Sequence, residues 1–193
     1  MNTGGRARRA SAAWLGLLIA VLGVGACGSQ PKPGAPVARP ESVSVFDLRP
    51  HDCLNPPKAN PNLDVSSVTV MPCRDPHVDE VYCVLLYSPT LPTSVQKCPD
   101  DPPQYPAWLK KYPQLLSEDY PSEQALTTFA NAICLNEFQP YVGTPYTDSS
   151  LYYTYLYPSP QSWDDSSHRD RSVVCLLHTT GAPLTVSAQG KKY

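Results

Sequence analysis

VDEVYCVLLY, residues 78–87, is the densest run of valine, leucine and tyrosine in the chain and reads as its strongest β-strand. Shorter runs share that character: VSSVTVM at 65–71, SLYYTYLY at 150–157 and SVVCLLHT at 172–179, with SVFDL at 44–48 also leaning towards β. Only one segment has a different period. Pro121-Ser122-Glu123-Gln124 offers an N-cap serine and an acid in the first turn. Leu126, Phe129, Ala130, Ile133, Cys134 and Phe138 then follow at helical spacing, and Pro140 is expected to stop the helix. Four or five strands, antiparallel or mixed, with one main amphipathic helix laid against them make an α+β fold.

The chain upstream of this domain has another purpose. Arg6, Arg8 and Arg9 precede an apolar core from about Ala12 to Ala26, closed by Val24-Gly25-Ala26-Cys27. That order of charged, apolar and small residues is a lipoprotein signal peptide over residues 1–26, too short to span a bilayer comfortably. Cys27 is then the lipidation site, its thiol carrying an acyl chain such as palmitate. Arg8-Arg9 leaves the general and twin-arginine export routes both open. Residues 27–42 form a lipidated, proline-rich tether with almost nothing to bury. The folded domain is expected over 43–182, with a proline-rich insertion at 88–120 that holds at most a helical turn near Ala107-Trp108-Leu109. Residues 183–193 read as a flexible tail.

Removing residues 1–26 takes away three of 15 Lys/Arg and no acid, leaving 12 against 17 Asp/Glu and a net charge of −5. A mildly acidic domain without a basic stripe argues against nucleic acid and against docking on anionic lipid. Membrane attachment would then rest on acyl chains, of which two or more are needed.

Six cysteines remain after Cys27, an even number that in an exported chain reads as three disulfides. Fifteen pairings exist. The expected set is Cys53–Cys73, Cys83–Cys98 and Cys134–Cys175, in which the middle bond closes a short polar insertion and contributes about 3 kcal/mol. The competing arrangement places His51, Cys53, Cys73 and His77 around zinc; no metal and no cofactor is the expectation.

His77, Asp79 and Glu80 are the cluster that invites a catalytic story, a base with orienting acids. In an extended strand His77 and Asp79 face one way and Glu80 the other, so the three converge only if Pro76-His77 belongs to a turn. The plainer role is to fix the start of the strand. No nucleophile-elbow, zinc-helix or phosphate-loop motif is present, and the cysteines are better explained as disulfides, so no enzyme is expected. Arg171 beside Asp170 is read as an ion pair, a backbone clamp or a carboxylate contact. Tyr153, Tyr155 and Tyr157 share one strand face with Leu151, Tyr152 and Leu156 the other, near Trp163. One of these faces could be core and the other a protein or glycan contact surface.

Leu48-Arg49-Pro50-His51-Asp52-Cys53-Leu54, Val70-Met71-Pro72-Cys73 and Pro76-His77-Val78-Asp79-Glu80-Val81, taken in order, resemble the opening motifs of the septum formation domain family. Tyr120-Pro121-Ser122, Cys134, Tyr141-Val142-Gly143, Ser150-Leu151, Pro158, Ser162-Trp163 and Asp170-Arg171-Ser172-Val173-Val174-Cys175 resemble its second half. The resemblance covers roughly residues 43–178. It implies an exported or membrane-tethered envelope protein of actinobacterial type, linked to septum formation or cell division. Two glycines of the family pattern are replaced here, by His51 and Arg169, which removes flexible turn residues and leaves the local backbone free to differ. Cys83 and Cys98 look like additions to the family core, which supports their pairing with each other.

The function expected is a lipid-anchored extracytoplasmic binding or scaffold module on the outer face of the cytoplasmic membrane. Its partners would be the membrane through Cys27 and an envelope or division protein or cell-wall glycan. His77, Glu80, Trp163, Arg171, Tyr153 and Tyr155 are the candidate surface determinants. The alternatives are an envelope hydrolase or metal-dependent enzyme centred on His77, Asp79 and Glu80, and a glycan- or lipid-binding carrier using the tyrosine-rich face.

Overall fold

The computed structural model describes residues 39–55, 66–89, 96–100, 107–113 and 119–193. The signal peptide, Cys27 and most of the tether lie outside the described residues, as does much of the 88–120 insertion. No helix among the described residues is long and apolar enough to cross a membrane.

The 78–87 run becomes β4 (Asp79–Leu86), a central strand buried from Asp79 to Val84 on both faces. The other strands of its sheet are β1 (Glu41–Ser44), β2 (Cys53–Asn55), β3 (Ser67–Met71), β5 (Tyr152–Leu156) and β6 (Ser172–His178), of which β2 and β6 flank β4. All pairings are antiparallel, in the order β1-β3-β2-β4-β6-β5. Among the described residues the sheet thus has six strands rather than four or five. β2 is three residues long and carries too little pattern to be recognised alone. β1 takes in Glu41 and Ser42, read from the sequence as tether, and ends at Ser44; the rest of the 44–48 run is not strand, because Ser44 caps a 3-10 turn at Val45–Asp47 by accepting from the Phe46 N–H.

β4 and β6 shift register between Val81 and Cys83. This bulge breaks strict alternation, so Tyr82 and Cys83 both join the larger core while Val81 and Val84 join the smaller one. The larger core lies under α2 (Glu123–Val142), whose buried stripe is Leu126, Phe129, Ala130, Ile133, Cys134, Phe138, Tyr141 and Val142. Fully burying a side chain such as Phe138 or Ile133 contributes about 1.5–3 kcal/mol each. Ser122 caps α2 as expected, accepting from the Ala125 N–H at 3.2 Å.

Pro140 does not stop α2. The helix continues to Val142 and ends at Gly143, whose φ of 86° is the left-handed cap that glycine adopts without strain. Proline this close to the end forfeits a single intrahelical bond. The last carbonyls are also served from outside: the Gly190 N–H donates to Tyr141 O at 2.8 Å and the Lys192 N–H to Val142 O at 3.0 Å. The C-terminal residues are therefore docked, which corrects the reading of 183–193 as a flexible tail. Leu184 exchanges two backbone hydrogen bonds with His77, and Ala188 is fully buried.

Three disulfides staple these parts, as expected. Cys53–Cys73 joins β2 to the turn after β3, Cys83–Cys98 ties the insertion to β4, and Cys134–Cys175 pins α2 to β6 (Cα–Cα 5.2, 5.3 and 5.5 Å). Within the insertion, α1 (Ala107–Lys111) is the expected helical turn, and Lys97 reaches Glu137 of α2 at 3.2 Å. A short helix not foreseen from sequence, α3 (Pro160–Asp164), starts with a Ser159/Ser162 capping box.

Candidate functional site

The chemistry collects where the first turn, the end of α2 and the C-terminal strap meet the start of β4. Arg49-Pro50-His51-Asp52 is a turn closed by the Asp52 N–H to Arg49 O at 3.1 Å, with the Asp52 carboxylate accepting from the Arg49 N–H at 2.8 Å. Proline second and positive φ third is the arrangement of a type II turn, where glycine is the favoured third residue. Here it is His51, at φ 75°. Burial pushes the Asp52 carboxyl up to about 6, against the opposing pull of the Arg49 amide and charge.

Cys53 and Glu80 are cross-strand partners on β2 and β4. Glu80 is fully buried and its carboxylate accepts three hydrogen bonds. Oε1 takes the Tyr141 hydroxyl at 2.6 Å and the Ser187 hydroxyl at 2.5 Å, and Oε2 takes the Ala188 N–H at 2.7 Å. Because Tyr141 spends its proton on Glu80, its oxygen accepts from His51 Nδ1–H at 2.9 Å. A chain of polar contacts so runs from exposed His51 through Tyr141 and Glu80 to the strap. Burial first, and the Glu80 charge second, raise the Tyr141 phenol well above its ordinary value, which keeps it a donor.

His77 stands just before β4, fully buried, with Nδ1–H donating to Asp75 O at 2.8 Å. Asp79 turns elsewhere, accepting from His178 Nδ1–H at 2.7 Å. Burial raises the Asp79 carboxyl and the His178 bond draws it part of the way back. The three candidate residues thus do not form one acid–base set. His77 and Glu80 nevertheless come together, contrary to simple alternation, because Val78 sits in a bend outside the strand.

The residues expected as surface determinants are placed as follows. His77, Glu80, Trp163 and Arg171 are buried, which corrects their assignment to the surface. Arg171 is the backbone clamp among the roles weighed. Its Nη1 donates to Trp163 O at 2.7 Å and Asp170 O at 2.9 Å, and its guanidinium lies 3.6 Å from the Trp163 ring centre. Trp163 packs edge-on against Tyr87 and Tyr120, inside the fold. Tyr153 and Tyr155 pack against the larger core beneath α2. The Tyr153 hydroxyl donates to Asn131 Oδ1 at 3.3 Å, Asn131 Nδ2 donates to the Tyr155 oxygen at 3.2 Å, and Tyr157 donates to Glu123 at 2.9 Å. On the opposite face Tyr152 is about half exposed (51%). The zinc arrangement of His51, Cys53, Cys73 and His77 is not formed either: both sulfurs are in a disulfide and the His51 ring turns to Tyr141.

Sequence patterns missed Ser187 and Ala188. Nothing periodic marks them, and a backbone N–H gives no residue-type signal. Tyr141 stands out in the sequence as a member of the tyrosine-rich stretch and of Tyr141-Val142-Gly143, neither of which points to Glu80. The chain matches no protein-family model, no curated protein and no solved structure.

Proposed function

We propose that this chain is a lipid-anchored extracytoplasmic binding or scaffold module of the cell envelope, tethered through Cys27 and acting in septum formation or wall assembly. The observation that carries the extracytoplasmic part is the pairing of all six cysteines downstream of Cys27 in three disulfides, chemistry that an oxidising compartment sustains. It agrees with the signal pattern ahead of Cys27. The septal part rests on the family resemblance, and the backbone supports it at two places. His51 (φ 75°) and Arg169 (φ 46°), which replace glycines of the family pattern, both keep the left-handed conformation that favours glycine.

Binding is favoured over catalysis because Asp79 is turned to His178 while Glu80 is held by Tyr141, Ser187 and Ala188, so the His77-Asp79-Glu80 run does not converge on one acid–base set. Among the described residues, an open depression beside the start of α2 is lined by Tyr87, Ser88, Pro89, Ser122, Gln124, Ala125, Thr128, Phe129 and Ala132, polar and apolar in about equal measure.

Fractionation and intact mass test this reading. The native protein is expected in the membrane fraction, starting at Cys27 and carrying acyl mass, with six thiols that alkylate only after reduction. Cys27→Ser is expected to lose the acyl mass. Unacylated protein in the soluble fraction overturns the anchor, and an even distribution around the cell, seen by immunofluorescence, overturns the septal role.

A further inference from the structure

Cys53, His77 and Glu80 bring a sulfur, an imidazole nitrogen and a carboxylate oxygen within 4.8 Å of one another, all three residues buried. Cross-strand pairing sets Cys53 against Glu80, and the two backbone bonds to Leu184 hold His77 in place. With Nδ1–H donating to Asp75 O, the neutral His77 ring carries its lone pair on Nε2. That atom is buried and has no hydrogen-bond partner among the described residues. Buried polar atoms without partners are uncommon and call for an explanation. Glu80 accepts three hydrogen bonds, which leaves its oxygens capacity for one more partner.

We propose that Cys53, His77 and Glu80 form a zinc-type metal site that the Cys53–Cys73 disulfide keeps closed and its reduction opens. The site does not depend on the lipid anchor or on the septal role. Sulfur in a disulfide is a poor ligand, whereas a thiolate is a strong one. Thiolate, imidazole and carboxylate with a fourth position left for water are a zinc donor set, and two negative charges match a divalent ion.

The two sulfurs differ in access. Cys53 is fully buried, while Cys73 is partly exposed in the turn where the Asp75 N–H donates to Pro72 O. An exported dithiol is the reductant. One of its thiolates attacks Cys73 Sγ, the Cys53–Cys73 bond breaks, and Cys53 leaves as a thiolate beside His77 and Glu80. The second thiolate of the reductant then attacks its own mixed-disulfide sulfur. Cys73 is displaced and takes a proton from water, and the reductant ends as a disulfide, having given two electrons. The ion binds the Cys53 thiolate, His77 Nε2 and a Glu80 oxygen.

Cys73→Ser and Cys53→Ser in the full chain lose the same disulfide and differ in which thiol remains, so their comparison isolates the site. Titrated with Co²⁺, Cys73→Ser is expected to take one equivalent and show thiolate-to-cobalt absorption, and Cys53→Ser to show none. Adding His77→Ala to Cys73→Ser is expected to weaken binding by about 100-fold or more. Equal spectra from the two cysteine variants, or no thiolate band in either, overturn the proposal. Should Cys73→Ser fail to fold, the wild-type protein is reduced with limiting dithiol, with and without Zn²⁺, and alkylated. Zinc is expected to protect Cys53 and leave Cys73 reactive; equal labelling of both overturns the site.

Discussion

Asp52→Asn is expected to stabilise the domain at neutral pH and to do nothing in acid. The Asp52 carboxyl, ordinarily near 3.8, is pushed up to about 6, chiefly by burial. The folded state therefore holds this proton more tightly than the unfolded state. Stability contributed by the neutral acid is fully present below about 3.8, falls as pH rises through the window to about 6, and is gone above it. Each unit of difference corresponds to about 1.36 kcal/mol, so the ceiling is about 3 kcal/mol. Asp52 keeps some contact with water, and screening there reduces the expected gain to about 1–2 kcal/mol. Asparagine keeps an oxygen for the Arg49 N–H, which Asp52 Oδ2 accepts at 2.8 Å, so the turn should survive the change. The assay is urea unfolding of the oxidised protein, wild type and variant, from pH 3 to pH 8. The two curves should coincide below about pH 4 and separate by about 1–2 kcal/mol at pH 7.5. An offset independent of pH, or a variant less stable at pH 7.5, refutes the reasoning.

Glu80→Gln replaces one acceptor oxygen by an amide donor facing either the Ala188 N–H or the two hydroxyls. Loss of about 2 kcal/mol from strap closure is expected, read as roughly 30-fold faster hydrogen exchange at residues 184–190; unchanged exchange there would show that the strap is held by other contacts. Arg169→Gly relieves a left-handed residue and should raise stability by about 0.5–1 kcal/mol in urea unfolding, whereas Arg169→Ala should not. His51→Gly gains a similar amount but loses the contact with Tyr141, and is expected to come out near zero. Arg171→Lys removes the planar stack on Trp163 and the paired donations to Trp163 O and Asp170 O, with an expected loss of about 2 kcal/mol and an altered tryptophan near-UV signal.

The long strands and the helix were legible because each is written in local composition, whereas the cystine pairing was one choice among fifteen, supported for Cys83–Cys98 by the family resemblance. The valines, leucines and tyrosines of 78–87 mark the strand that forms over Asp79–Leu86, and Leu126 to Phe138 repeat at helical spacing. The failures have physical causes. Cys53–Asn55 is three residues long, below the length at which periodicity speaks. Pro140 was read as a stop because proline lacks an N–H and crowds the preceding turn, but in the last turn of α2 that costs little and Gly143 ends the helix. The polar cluster was illegible for a different reason. Tyr141 lies 61 residues from Glu80 and Ala188 lies 108 away, so no window contains them together. Alternation also set His77 and Glu80 on opposite sides, which holds only while the chain is extended, and it bends at Val78.

The buried carboxylate explains why this end of the fold has one arrangement. Apolar packing under α2 would tolerate a range of strap positions, since it is non-directional. Glu80 is directional. It accepts from the end of α2 through Tyr141 and from the strap through Ser187 and Ala188, while Cys53 faces it across the sheet. A half-satisfied carboxylate in that position is far costlier than an apolar misfit, so the three segments assemble together. His51 fits the same logic: a histidine held at a φ that suits glycine keeps a hydrogen bond to Tyr141 that glycine could not make. Strain in the first turn and order in the last residues are thus two ends of one polar chain, and His77 Nε2, without a partner among the described residues, lies beside its centre.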